Sequence, residues 1–146
     1  MPPILLLIAL IVITAAAAGA AALLRKVRRA KLAAIASSWQ MRFTAEDAFQ
    51  LTPRVAARFP TPGAADVVVK DLVYGQESDG CFRYFFTVEY TVGVIRTKRR
   101  RSAVAMLVEQ GQSFSAITLS PGDLPVADRY LWLYGLHCAK PKQPTG

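Results

Sequence analysis

The chain has 146 residues and carries 18 Lys and Arg against 10 Asp and Glu, a formal net charge of +8. This length favours one domain. Ten of the cations fall within residues 25–31 and 96–101. The rest of the chain has 8 basic and 10 acidic residues, a net charge of −2 (8 − 10 = −2). This distribution excludes a uniformly basic protein, so each cluster needs a local explanation.

The first predicted element is an apolar helix at residues 4–24, ILLLIALIVITAAAAGAAALL, in which Thr14 is the one polar side chain. A helix of this length spans roughly 30 Å, the thickness of the hydrocarbon core of a bilayer. We therefore predict a single-pass transmembrane helix. Its cytoplasmic end is marked by a basic cluster, because positive residues stay in the cytoplasm. The cluster comprises Arg25, Lys26, Arg28, Arg29 and Lys31.

This order predicts a protein of the cell membrane with its N-terminus outside and its C-terminal domain in the cytoplasm. One alternative is a cleaved secretory signal, since the Ala-rich half offers several A-x-A sites. The other is an anchor of the opposite topology. The residues before the apolar segment carry no Lys or Arg, which favours the anchor. Residues 25–38 are then a basic juxtamembrane stem, predicted as a solvated helical linker whose cations contact anionic headgroups.

A soluble domain is predicted over residues 39–139, followed by a Pro-rich, disordered tail at 140–146. Residues 39–44 alternate between apolar and polar side chains and predict a short strand. The motif TAED at 44–47 is typical of a helix start and predicts a helical turn over 45–51. Several Pro residues then predict a loop over most of 52–65, with room for one turn over 54–59.

Four strands are predicted next, at residues 67–74, 81–92, 102–109 and 114–119. Strict alternation in CFRYFFTVEYTV predicts one buried face and one largely wet face, with Phe85 as the exception. Short connections between consecutive strands predict an antiparallel β-meander. The expected fold class is α+β, with residues 39–59 and 130–136 available to cover the apolar face of the sheet.

The second basic cluster, IRTKRRR, lies between the second and third of these strands, with Gly93 near the bend. Strand alternation predicts Arg96, Lys98 and Arg100 on one face of the hairpin and Arg99 and Arg101 on the other. Three roles are open: a solvated tip that deters edge pairing, contact with anionic lipid headgroups, or contact with an acidic protein or nucleic acid. The absence of aromatic residues in the run disfavours nucleic acid. The cations are Arg96, Lys98, Arg99, Arg100 and Arg101.

No motif in the sequence predicts catalysis. His137 stands beside Cys138. A nucleophile and its base must face each other, and the side chains of adjacent residues on a strand point apart. Cys81, Cys138 and one His form no zinc set, and no phosphate-binding loop is present. We therefore expect no enzyme, cofactor or metal. The two cysteines should be thiols in the cytoplasm, and a disulfide between them is expected only in an exported domain.

The order of apolar helix, basic stem, SSWQMRFTAED and VYGQESDGCFRYFFTVEYTVGVIRTKRRRSAVAMLVE resembles small single-span bacterial membrane proteins of actinobacterial type that are uncharacterised. The resemblance covers about residues 39–119 and implies no activity. Relatives of this type often continue well past DRYLWLYG, so we expect this C-terminus to be shorter than theirs. Val88 departs from a commoner Tyr. The matching positions are Trp39, Phe43, Asp47, Gly75, Gly80, Phe86 and Tyr90.

Together these features predict a membrane-anchored, non-enzymatic interaction or scaffolding module. Its basic hairpin would contact anionic lipid or an acidic partner. One alternative is an exported domain with a cleaved signal and a Cys81–Cys138 disulfide. The other is a membrane-tethered module that binds nucleic acid.

Overall fold

The structure is a computed structural model, which describes residues 2–77, 80–110 and 113–138, without the side chains of 113–116 and 136–138. The chain forms two compact units, Met1–Lys31 and Leu32–Gly146. The predicted tail at 140–146 and residues 78–79, in the connection between the predicted strands 67–74 and 81–92, lie outside the described residues.

The first helix, α1, spans Pro3–Ser38, and its residues 3–31 belong to the first unit. It is long and apolar enough to cross a membrane, a test that a signal sequence near the N-terminus also passes. Leu and Ala favour the helix intrinsically. The Thr14 hydroxyl donates a hydrogen bond to the Leu10 carbonyl at 2.8 Å, so this segment satisfies its polar side chain internally.

The second unit contains a five-stranded antiparallel sheet in which every strand pairs with its neighbours in sequence. The predicted α+β fold with a β-meander is confirmed, and residues 42–44 add an edge strand to the four longer ones. The strands are β1 (Arg42–Thr44), β2 (Ala65–Gln76), β3 (Phe82–Val92), β4 (Arg99–Gln110) and β5 (Ser113–Leu119).

Helices cover both faces of this sheet. On one face, α2 (Leu51–Ala57) buries Leu51 and Val55 against β2, β3 and β4. On the other face, the end of α1 and the C-terminal helix α3 (Val126–Cys138) cover Phe85. Thr87, on the same side of β3, is 1 % exposed. The prediction of a largely wet second face is therefore wrong for the middle of the sheet.

The end of α1 belongs to the core of the second unit. Leu32 and Ala36 are each 1 % exposed and pack in the cluster that contains Phe85. After the helix, the Trp39 ring stacks on Tyr134 of α3 with ring centroids 4.5 Å apart. The predicted solvated linker is therefore wrong for residues 32–38, because this last part of α1 buries an apolar face.

The helix α2 begins later than the TAED motif predicts. The carboxylate of Asp47 accepts hydrogen bonds from the backbone N–H groups of Leu51 and Thr52, both at 2.7 Å. Gln50 has a left-handed backbone with φ 53°, so the chain turns before the helix starts. The acid therefore satisfies free N–H groups of the first turn from outside the helix. The helical turn predicted over 45–51 is therefore wrong except at Leu51. The loop predicted over 52–65 is wrong for residues 52–57, where α2 overlaps the single turn predicted over 54–59.

A bulge in β2 explains why its apolar run does not alternate. The register with β3 shifts between Lys70 and Val73, where Asp71 has φ 51°. Asp tolerates this left-handed conformation better than most residues. The extra residue puts Val69 and Leu72 on the same face of the sheet, in the core with α2.

Candidate functional site: the basic hairpin

The turn between β3 and β4 is tight and depends on glycine. Gly93 has φ 110°, and a Cβ atom there would lie 2.5 Å from the Thr97 carbonyl oxygen. The Thr97 N–H closes the turn by donating to the Val94 carbonyl at 2.7 Å. Residues 93–98 are all exposed. The structure therefore presents this basic run on a defined hairpin tip.

The strand register decides where the arginines of β4 point. Arg99, Arg100 and Arg101 pair with Val92, Thr91 and Tyr90 of β3. Arg99 and Arg101 therefore share the α2 side with Tyr90, and Arg100 lies on the other side, as predicted. Arg96 and Lys98 lie in the turn before β4, where strand alternation does not apply, so the predicted grouping of these two with Arg100 stays a prediction.

The Arg100 guanidinium is hydrogen-bonded to neighbouring strands. Its guanidinium donates to the Asp66 carbonyl at 2.9 Å, to the Thr91 hydroxyl at 3.2 Å and to the Glu89 carboxylate at 3.4 Å. These contacts join the start of β2 to the end of β3 and the start of β4. We therefore separate Arg100 from the other predicted contact residues, because its main hydrogen bonds are made within the protein.

Glu89 takes up the charge of two neighbours. Its carboxylate pairs with the Lys70 ammonium and with the Arg100 guanidinium. The hydrogen bond from Lys70, with the charges of both cations, holds the pKa of the Glu89 carboxyl below its ordinary value despite partial burial. Since this acid is already shared by two cations, it does not neutralise the rest of the basic run.

Four cations of the hairpin remain directed to solvent. Within the described part of the chain, no acidic side chain forms an ion pair with Arg96, Lys98, Arg99 or Arg101. Arg101 also borders a shallow cleft that Asp123 lines. Like charges this close repel one another, so they favour solvent or an external anion. These four residues form the candidate site.

Two apolar residues at the tip were missed by the sequence reasoning. Val94 is 74 % exposed and Ile95 is 90 % exposed, directly beside the cations. The signal was present in the sequence, because both residues follow Gly93 and precede Arg96. A turn usually takes Asn, Asp or Ser at such positions, so an aliphatic pair in this turn is unusual.

The first basic cluster lies on the part of α1 in the other unit and is exposed there. Arg25, Arg28 and Arg29 share one face of the helix, because residues three and four apart are neighbours on its surface. Arg25, Lys26 and Arg29 line a shallow groove with Ala22. The cluster is therefore an exposed basic band at the end of the apolar segment.

A polar cluster on the α2 side of the sheet has a structural explanation. Glu109 of β4 accepts hydrogen bonds from Arg54 of α2 at 2.8 Å and from the Tyr84 hydroxyl at 3.1 Å. Burial, followed by the hydrogen bond and charge of Glu109, raises the pKa of Tyr84 to about 12. The phenol is therefore protonated at neutral pH and can donate to Glu109. Together with the hydrogen bond from Arg54, this contact connects α2 to the sheet.

Other candidate chemistry is sparse. Among the described residues, no three His, Cys, Asp or Glu side chains gather as a metal site. Cys81 is buried directly before β3, and Cys138 ends α3 with its side chain outside the described residues, so the Cys81–Cys138 disulfide stays a prediction. Comparisons with protein-family models, curated proteins and solved structures find no match to this chain, and the resemblance to single-span bacterial membrane proteins stays an expectation.

Proposed function

We propose that this chain is a membrane-anchored, non-enzymatic interaction module whose basic hairpin binds anionic lipid headgroups. The observation that carries the proposal is the exposure of Arg96, Lys98, Arg99 and Arg101 on one defined tip. No acidic side chain in the described part of the chain pairs with them. Such a concentration of positive charge favours a negatively charged surface.

The anchor in this proposal is the apolar part of α1. A basic cluster follows the apolar segment directly, and in this proposal that order puts the N-terminus outside and the second unit in the cytoplasm. The cytoplasmic leaflet is the one that carries anionic lipids. Orientation and partner are therefore consistent with each other.

The expected strength of the contact is sufficient for a tethered domain. Each cation near an anionic surface contributes about 1 kcal/mol at physiological salt. Four cations together give an interaction that is weak for a free protein. A domain joined to the same bilayer meets the headgroups at a high effective concentration, so this interaction can hold the hairpin at the surface.

The experiment uses residues 32–146, the second compact unit, because a fragment that starts at Trp39 would lack the buried Leu32 and Ala36. Because binding without the anchor is weak, the fragment is sedimented from low salt with a large excess of vesicles of phosphatidylcholine alone or mixed with phosphatidylserine. Binding should require phosphatidylserine and weaken as salt is added. Replacing Arg99 and Arg101 with Gln should weaken it about 30-fold, since two cations contribute about 2 kcal/mol.

The matched control removes the same charge elsewhere. Arg42 and Arg58 are exposed residues of the same unit, and their double replacement with Gln should weaken binding much less. Equal losses in the two double variants would show a dependence on net charge alone and would contradict a hairpin site. Binding to an acidic polypeptide or to RNA without binding to anionic vesicles would favour the alternative partners. Circular dichroism of each variant checks the fold.

A further inference from the structure

We propose that Val94 and Ile95 form an apolar wedge that inserts between the headgroups of an anionic bilayer while the neighbouring cations bind the phosphates. The wedge rests on the proposed function, because it assumes that the hairpin meets lipid. It adds a second, non-electrostatic component of binding. It also assigns the contact to the tip rather than to a flat side of the sheet.

The exposure of these two side chains is the first argument. Val94 is 74 % exposed and Ile95 is 90 % exposed. In the described part of the second unit, the other exposed large apolar side chains reach at most 50 %, the value for Leu131. Single exposed apolar residues are ordinary on protein surfaces. An adjacent pair at the far end of the most basic hairpin is a concentrated apolar feature.

The turn geometry is the second argument. Gly93, with its φ of 110°, and the hydrogen bond from the Thr97 N–H to the Val94 carbonyl fix the backbone around the pair. A wedge held in place loses less conformational entropy on insertion than a loose loop would. The tip is therefore prepared for insertion before it meets the bilayer.

The third argument is the match between the tip and its partner. The bilayer interface presents phosphate groups above hydrocarbon, and surface-binding segments combine cations with buried apolar side chains for this reason. Arg96 and Lys98 follow the apolar pair within the same turn. Nucleic acid would favour aromatic residues that stack on bases, and an aliphatic pair offers no such contact.

The test places a spin label at the tip of the full-length chain. Cys81 and Cys138 are replaced with Ala, Ile95 is replaced with Cys, and the labelled protein is reconstituted in bilayers with or without phosphatidylserine. Electron paramagnetic resonance measures collisions with oxygen, which dissolves in the bilayer, and with a water-soluble nickel chelate. A label at Gln110, an exposed residue at the other end of β4, is the matched control.

Insertion predicts that the label at position 95 gains oxygen collisions and loses nickel collisions in anionic bilayers, and that the label at position 110 remains aqueous. Adding Val94→Ser should reduce the ratio of inserted to free tip about tenfold, because two methyl-sized groups leave the bilayer. A label at position 95 that stays aqueous in anionic bilayers overturns the wedge. Immobilisation of that aqueous label by an acidic polypeptide would assign the tip to a protein partner instead.

A second measurement separates failure of the wedge from failure of the proposed function. Trypsin cleaves after Arg and Lys, so headgroup contact should slow cleavage within residues 96–101 of the same reconstituted protein. Protection by phosphatidylserine with an aqueous label means that headgroups bind the cations without insertion, which overturns only the wedge. No protection and an aqueous label overturn both proposals. Insertion that occurs equally without phosphatidylserine supports the wedge and contradicts the role of the cations.

Discussion

The Tyr130 hydroxyl of α3 donates a hydrogen bond of 2.6 Å to the backbone carbonyl of Asp71 in the β2 bulge. The Thr87 hydroxyl lies 3.3 Å from the same Tyr130 oxygen, and since the tyrosine proton is already committed, Thr87 is the donor. Tyr130 is fully buried. One phenol thus joins the C-terminal helix to two strands at the point where the register shifts.

Tyr130→Phe should destabilise the second unit by about 1–3 kcal/mol, because a buried carbonyl and a buried hydroxyl lose their partner. The free energy of unfolding from urea titration of residues 32–146 measures this. Tyr74→Phe is the control, because no hydrogen bond to its hydroxyl is found within the described structure, and it should change stability by less than about 0.5 kcal/mol. Equal stability of wild type and Tyr130→Phe would contradict the importance of this link.

The sequence allowed the order and type of the strands to be predicted, because their information is local. In β3, the period of two places Tyr84, Phe86, Val88 and Tyr90 on one face, and the core confirms this. Gly93 marked the bend between β3 and β4, which its φ of 110° also confirms. Such features depend on the alternation of side chains and on glycine geometry, both of which are visible in a single chain.

Features that depend on contacts between distant residues were not predictable. The burial of Thr87 depends on Tyr130, which lies 43 residues later in the sequence. The burial of Leu32 depends on the same face of the sheet. At the candidate site, the cations were predicted from the sequence. The hydrogen bonds from the Arg100 guanidinium to Asp66 of β2 and Glu89 of β3 were not. Sequence spacing carries no signal for these tertiary contacts.

Alkaline unfolding should reveal the raised pKa of Tyr84. Its value in the fold is about 12 against an ordinary value of 10.0, and burial is the larger cause. The folded state therefore holds the phenolic proton more tightly than the unfolded state. Its contribution to stability is complete below pH 10.0 and is lost as the pH rises from 10.0 towards 12.

Urea titrations of wild type and Tyr84→Phe at several pH values measure this contribution, since the other tyrosines titrate in both proteins. The wild type should lose more stability than Tyr84→Phe above pH 10.0. Glu109→Gln should lower the pKa of Tyr84 only part of the way, because burial remains. Parallel stability curves for wild type and Tyr84→Phe would contradict the raised pKa.

Gly93→Ala should distort the hairpin tip and weaken vesicle binding. The left-handed backbone costs an L-residue about 1–2 kcal/mol, and the clash with the Thr97 carbonyl adds to that cost. Gly63→Ala separates the backbone cost from the clash, because Gly63 has φ 74° with no atom within 4 Å of an added Cβ. Both variants should unfold at lower urea concentrations, and Gly93→Ala should show the larger loss. Only Gly93→Ala should reduce sedimentation with phosphatidylserine vesicles. A reduction by both variants would mean that general destabilisation, rather than tip geometry, causes the loss.

Topology is the prediction on which the lipid proposal depends. In a background with Cys81 and Cys138 replaced by Ala, one protein carries Pro2→Cys and another carries Gln110→Cys. A membrane-impermeant maleimide added to intact cells should label the first and not the second. Gln110 is exposed in the second unit, so the cysteine there should react once the membrane is permeabilised, without denaturation. The mass of the isolated protein should be that of the full chain.

The opposite labelling pattern would place the second unit outside the cell. If the mass also lacked about 20 residues, as after removal of a secretory signal, the alternative of an exported domain would be favoured. The Cys81–Cys138 disulfide would then be tested by thiol counting in the wild-type protein under denaturing conditions. A cytoplasmic second unit with the full mass leaves the inner leaflet as the anionic surface available to Arg96, Lys98, Arg99 and Arg101. Exposure of the basic residues to the cell exterior would remove that surface, and an extracellular anion would have to replace it.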